Sequence, residues 1–151
     1  MNLILSTRSR YGLKMMLELA LNYEYGSISL SKIAERQQLS VTYLEQLIAP
    51  LRKRGLVEGI RGSKGGYILK KSPGEITVGE VIRILEGPLA PAECVLDKEE
   101  YECINADNCA TRLLWEKISE SINNVIDSIT LGDMVNDFNK LNPNKNIISE
   151  E

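Results

Sequence analysis

Residues 40–69 read SVTYLEQLIAPLRKRGLVEGIRGSKGGYIL. Ser40 is a good N-cap, and Val41, Leu44, Leu47, Ile48 and Leu51 then recur at spacings of three and four, which predicts an amphipathic helix. Further on, two short β-prone runs at 56–60 and 67–69 flank RGSKGG, which predicts a β-hairpin with a basic, glycine-rich tip. Gly62, Gly65 and Gly66 are expected to supply the positive backbone angles of that tip. The tip is not a nucleotide-binding loop, because the lysine spacing and the following Ser/Thr of such loops are missing.

Upstream, QQLS at 37–40 is a polar turn. Ser29 caps a helix carrying Leu30, Ile33 and Ala34, and Ile28 suits a short extended segment. Residues 9–25 predict an earlier helix with Leu13, Met16, Leu17, Ala20 and Leu21 as its apolar stripe and Gly26 as its stop. Two short helices joined by a tight turn, backed by a third, suit either a helix-turn-helix or a plain helical hairpin with a polar face. The basic hairpin that follows favours the former, as the wing of a winged helix. The second helix would then lie in a DNA major groove and present Ser40, Thr42, Tyr43, Glu45 and Gln46 to base edges and phosphates. Arg61 suits a narrow minor groove, and Arg52, Lys53, Arg54 and Lys64 suit phosphate.

Downstream, Thr77 and Glu80 make a capping box for a helix through Val78, Val81, Ile82 and Leu85, ended by Gly87 and Pro88. Residues 88–110 have two prolines, many carboxylates and no period, so they read as a loop, long enough to suggest function or disorder. Leu113, Leu114, Ile118, Ile122, Val125, Ile126 and Ile129 then mark a helix over about 111–129. Its apolar face exceeds what a small module buries, which points to dimerisation, an ordinary core helix being the other reading. Thr130 and Asp133 cap a last short helix through Met134, Val135 and Phe138. The expected fold is mainly α with a small β-hairpin wing: a winged helix-turn-helix domain at 1–87, a cysteine-bearing loop at 88–110, a dimerisation helix and short helix at 111–140, and a flexible tail at 141–151.

The formal charge of −3 conceals an asymmetry. Residues 1–80 carry twelve Lys/Arg against seven Asp/Glu, and residues 81–151 carry six against fourteen. A basic first half suits a polyanion, and the acidic second half would be repelled by one. The first residues lack the apolar core and cleavage site of a secretory leader, and no apolar run approaches the roughly 20 residues that span a bilayer. The expected location is the cytoplasm. An enzyme is disfavoured, because a chain without histidine has no Ser-His or Cys-His pair.

The chain's three cysteines, Cys94, Cys103 and Cys109, fall within one short stretch. An odd number cannot all pair within one chain, and in a reducing compartment clustered thiols bind metals or act in redox chemistry. Iron–sulfur clusters and structural zinc usually take four protein ligands, so one is lacking.

STRSRYGLKMMLELA, LSVTYLEQLIAPLRKRGLV, IRGSKGGYIL and ITVGEVIRILEGP, with LWEKI and ITLG after the loop, resemble the Rrf-two family of winged-helix transcription regulators, which takes in the IscR, NsrR and CymR types. The resemblance covers about residues 5–138. It implies a homodimer, joined by the long helix, on a roughly palindromic operator in double-stranded DNA. It also implies base reading by Glu45 and Gln46 beside Thr42, and minor-groove entry by Arg61. In the IscR type the three loop cysteines hold a 2Fe-2S iron–sulfur cluster, and Cys94, Cys103 and Cys109 match them. Two features depart from that pattern. The first cysteine interval is three residues longer than the family's, and Arg112 stands where the IscR type has its histidine ligand. The aspartate that NsrR-type proteins take from the partner subunit matches Arg10 here. Arginine stays protonated and ligates no metal, so the fourth ligand is sought among Asp107 first, then Glu93, Glu102 and Thr111, or outside the chain. Positive charge on Arg112 should lower nearby thiol pKa values. The expected function is a cluster-modulated repressor of iron–sulfur or cysteine metabolism genes. Alternatives are control by thiol oxidation or a protein partner, as in the CymR type, and a structural zinc site.

Overall fold

The computed structural model describes residues 4–96 and 102–144. Residues 97–101 of the expected loop and 145–151 of the expected tail lie outside them. The order is α1 (Thr7–Leu21), α2 (Leu30–Gln37), α3 (Val41–Lys53), β1 (Val57–Ile60), β2 (Gly66–Leu69), α4 (Val78–Glu86), α5 (Glu93–Leu96), α6 (Ala110–Ser128) and α7 (Leu131–Leu141). Mostly helical, with one two-stranded antiparallel hairpin, this is the expected class.

Side-chain caps set the helix starts. Ser29 accepts from the Lys32 amide, Ser40 from the Tyr43 amide, and Thr77 and Thr130 each form a reciprocal box, with Glu80 and Asp133. Each satisfies N–H groups that a helix start leaves unpaired. Gln38 ends α2 in the left-handed region at φ 55°, which makes the turn into α3 tight.

Met15, Met16, Leu19, Ile33, Leu44, Leu47 and Leu51 are fully buried between α1, α2 and α3, and Leu56, Val57 and Leu69 bring the hairpin base into the same core. The buried face of α1 is rotated from the expected stripe: Met15 and Leu19 are inside, and Leu13 and Leu17 are half-buried. Gly12 is the reason. Its missing Cβ lets the Leu85 side chain of α4 lie against the α1 backbone, turning that face inward. The expected helix at 9–25 also ends earlier, at Leu21, and Tyr23–Tyr25 form a separate 3₁₀ turn.

Burial of Glu18 is a feature the apolar pattern does not show. It accepts hydrogen bonds from Arg36 (3.1 Å) and Gln37 (2.7 Å), tying α1 to the end of α2. Far along the chain, Leu131 is fully buried in the same core, and its amide donates to the Ile76 carbonyl at 2.9 Å. Through α7 the C-terminal part thus packs back onto α1. By contrast α6, nineteen residues long, has no buried residue: Leu113, Leu114 and Val125 are 60%, 48% and 55% exposed.

Candidate nucleic-acid interface and cysteine loop

The head of α3 is open. Ser40, Thr42, Glu45 and Gln46 are exposed, and Tyr43 is half-buried with its ring edge-on to Tyr11, centroids 6.1 Å apart. The same helix buries Leu44, Leu47, Ile48 and Leu51 on its opposite side, so packing fixes which residues face out. Arg52 and Lys53 are exposed but sit in the last turn, about 15 Å along the axis from Thr42 at 1.5 Å per residue. The structure therefore does not bring them to the helix head; they stand on another part of the surface, with Arg54 at the C-cap.

The hairpin pairs Val57 with Leu69 and Ile60 with Gly66. On its other side, Tyr67 exchanges backbone hydrogen bonds with Ile28 (2.8 and 3.1 Å), which is the extended segment expected at that residue. Ser27 donates to the Lys64 carbonyl at 2.6 Å, so the tip is fastened to the residues just before α2. Arg61 and Lys64 project from it, exposed. Of the three tip glycines only Gly62 takes a positive φ, 111°. Gly65 and Gly66 are needed for another reason: a Cβ on Gly65 would meet the Ile60 and Gly62 carbonyls, and one on Gly66 would strike the Ile28 backbone.

Cys94 lies on α5, a single helical turn within what reads as loop in the sequence, and is half-buried. Cys103 is exposed. Cys109 is half-buried and forms the N-cap residue of α6, with its sulfur 3.1 Å from the Thr111 hydroxyl oxygen. The Thr111 hydroxyl chiefly, then the Arg112 backbone amide, and the Arg112 charge least, hold the Cys109 thiol below its ordinary pKa; partial desolvation opposes them. The expected effect of Arg112 is thus present but small beside that of Thr111. Arg112 itself turns to Glu116, 3.8 Å away. Asp107 is exposed on the 3₁₀ turn Ala106–Asn108 and shares a shallow depression with Cys109 and Arg112. Glu93, Glu102 and Thr111 are exposed too.

In kind, the donors fit an iron–sulfur cluster, since three thiols on one short segment are the soft ligands it takes. Among the described residues, however, no three Cys, Asp or Glu side chains stand close enough to hold a metal. Ligation requires α5 and the residues before α6 to come together.

The start of this loop is fastened to α6 and, through it, to α4. The Leu89 carbonyl accepts from Ser119 (3.3 Å) and Asn123 (3.4 Å) of α6, and Asn123 in turn accepts from Arg83 of α4 at 2.9 Å. Sequence reading did not find these residues; polar positions on an amphipathic helix read simply as its wet face.

A recognition-type helix held by two others, followed by a basic hairpin anchored beside it, is a winged helix-turn-helix, the architecture of DNA-binding transcription regulators. The chain belongs to the Rrf2 family, described as an iron-dependent transcriptional regulator, whose profile matches residues 5–137. It is 46% identical over 130 residues to the HTH-type transcriptional regulator CymR of Bacillus subtilis, covering 86% of this chain and 88% of that protein. To the HTH-type transcriptional regulator IscR of Klebsiella pneumoniae it is 42% identical over 132 residues, 87% and 79% of the respective chains. Among solved structures it is similar to T. potens IscR, with a TM-score of 0.78 and 43% identity over 97% of this chain and 96% of that one. These relatives are named as regulators, not enzymes. Among the described residues no helix is long and apolar enough to cross a membrane.

Proposed function

We propose that this protein is a cytoplasmic, homodimeric repressor of iron–sulfur or cysteine metabolism genes, whose hold on a roughly palindromic operator is set by an iron–sulfur cluster, of the 2Fe-2S type, on Cys94, Cys103 and Cys109. One observation carries the reading: the cysteine loop is fastened through Leu89 to α6, whose apolar face is uncovered, and through Asn123 and Arg83 to the winged helix-turn-helix. Ser40, Thr42, Tyr43, Glu45 and Gln46 face the major groove, Arg61 enters the minor groove, and Lys64, Arg52 and Lys53 meet phosphate. Leu114 and Val125 join two copies through α6. The units are 1–87 for DNA, 88–110 for sensing and 111–140 for pairing.

A bound cluster supplies a crosslink sensitive to iron and oxidants, with an oxygen ligand such as Asp107 completing it. The chain's own residues do the rest. Bringing Cys94 toward Cys103 and Cys109 pulls on α5 and the N-terminus of α6. Leu89 carries that pull to Asn123, and Arg83 passes it to α4, which packs on both α1 and α3. The spacing of the two recognition helices in the dimer shifts accordingly.

Anaerobic purification with iron and sulfide counts, followed by operator binding of wild type and a triple Cys→Ala variant, tests this. Visible charge-transfer absorption lost in the variant, together with loss of the cluster-dependent change in operator affinity, is expected. Colourless wild type, free of iron after reconstitution, sinks the cluster.

The exposure of Cys103, and the absence of a gathered donor set among the described residues, favour a second reading, in which the thiols themselves are the switch. Two thiols would give up two electrons and two protons to hydrogen peroxide, forming one S–S bond and two waters. A defined disulfide by mass spectrometry, with no metal bound, selects it.

A further inference from the structure

Arg10, which matches the position of the NsrR-type aspartate, takes part in a different arrangement. Its guanidinium carbon lies 5.7 Å from the centre of the Tyr11 ring, and the Lys14 ammonium lies 5.6 Å from the same centre. Both cations are exposed, and among the described residues neither has an ion pair or a hydrogen bond to a side chain. Each is drawn only weakly to the ring at an exposed site, and they repel one another. Four residues apart, they stand on one side of α1, and two unpaired cations on that side make a place for an anion.

What surrounds them identifies the anion. Tyr11 packs edge-on against Tyr43 in the first turn of α3, and the Tyr43 hydroxyl lies 3.4 Å from that of Thr7. The ring that holds the cations of α1 therefore packs against the head of α3, the helix turn that leaves Ser40 and Thr42 exposed. When the head of a helix enters a major groove, the sugar–phosphate strands bordering that groove pass on either side of it. We propose that Arg10 and Lys14, held by Tyr11 against Tyr43, clamp a backbone phosphodiester beside the groove that α3 enters. The clamp rests on the placement of α3 in the proposed function and adds a sequence-independent contact from a helix outside the helix-turn-helix and the wing.

The test uses full-length protein, a duplex selected in vitro on the wild type, and a shuffled duplex of the same length, read by fluorescence anisotropy across salt concentrations. Arg10→Gln/Lys14→Gln should bind both duplexes on the order of tenfold more weakly. Its slope of log affinity against log salt should be shallower by about 2, for one phosphate lost per protomer. The preference for the selected duplex, the melting temperature and the sedimentation of the dimer should not change. The charge-preserving swap Arg10→Lys/Lys14→Arg should restore the slope.

An unchanged slope in the Gln variant overturns the clamp. So does dissociation of the dimer or altered cysteine reactivity, either of which would assign the cations to the acidic loop of a second copy. A wild type that prefers neither duplex, yet loses slope in the Gln variant, keeps the clamp and sinks the base-reading role of Glu45 and Gln46. A wild type that binds no DNA sinks both.

Discussion

Arg83 of α4 grips Asp127 of α6 through two hydrogen bonds of 2.7 Å, and Gly79, four residues before Arg83, leaves the room for it, since a Cβ there would strike the Asp127 carboxylate. The hydrogen bonds and charge of Arg83 hold Asp127 below its ordinary value of 3.8. A carboxylate depressed in the folded state stabilises fully above that ordinary value, and its contribution fades as pH falls through the lowered one. With Asp127 47% exposed, the pair contributes on the order of 0.5 kcal/mol at neutral pH, so its main effect is on geometry.

Arg83→Ala should therefore leave the melting temperature within a few degrees of wild type while weakening the link between the cysteine loop and the winged helix. Operator affinity of the reduced, metal-free protein should change less than about threefold. The difference in affinity between the two cysteine states should shrink to less than half of its wild-type value in free-energy terms. Anisotropy titrations on both states measure this; an undiminished difference would remove Arg83 from the coupling.

Glu18 is the one acidic side chain found buried among the described residues. Glu18→Ala strips Arg36 and Gln37 of their shared acceptor while leaving a cation only 15% exposed, and should cost about 3 kcal/mol. Glu18→Gln keeps an acceptor and should cost less. Urea unfolding at one fixed protein concentration compares the two, because a dimer's apparent stability depends on concentration.

Much of this fold is legible in the sequence because its signals are local. The caps at Ser29, Ser40, Thr77 and Thr130 act on amides within three residues, and each is where the pattern placed it. The register of α1 is not local. Gly12 reads as a poor helix residue until Leu85, far along the chain, is seen resting on it. Glu18 likewise reads as the wet face of α1, because the cation that permits its burial sits on another helix. For the candidate site, the residue types at the head of α3 and on the hairpin tip are plain in the sequence, as are the cysteines. The separation of Arg52 and Lys53 from that head follows from helix rise alone, whereas the pinning of Leu89 depends on three-dimensional packing.

The hairpin tip gives a sharper test of close packing. Gly66 sits against the Ile28 backbone with an ordinary φ, so Gly66→Ala introduces a clash rather than backbone strain. It should cost about 1–3 kcal/mol and break the bridge between Tyr67 and Ile28. Hydrogen exchange at the Ile28 and Tyr67 amides should accelerate, with binding to shuffled DNA also weakened as Lys64 loses its fixed place. Gly62→Ala, at a positive φ with open space around it, should cost about 1 kcal/mol and leave the Ile28 bridge intact.

The uncovered face of α6 either meets solvent or joins two copies of the chain, and the two cases respond differently to added charge. Leu114 and Val125 are eleven residues apart, three turns of helix, and so lie on one face, with Ser121 between them and Ile118 at its edge. Leu114→Glu/Val125→Glu places two carboxylates there. If that face only meets solvent, the protein should keep its melting temperature, its sedimentation coefficient and its affinity for DNA. If two copies meet through it, four carboxylates are brought together without partners, and the dimer should dissociate at micromolar concentration. The monomer would retain its winged helix, because α6 contributes no buried residue to that core. It should bind a single half-site only weakly, with the salt slope of log affinity roughly halved as one protomer's phosphate contacts are lost. Sedimentation and anisotropy on the same preparation distinguish the outcomes, and a dimer that survives both substitutions would move the interface off α6.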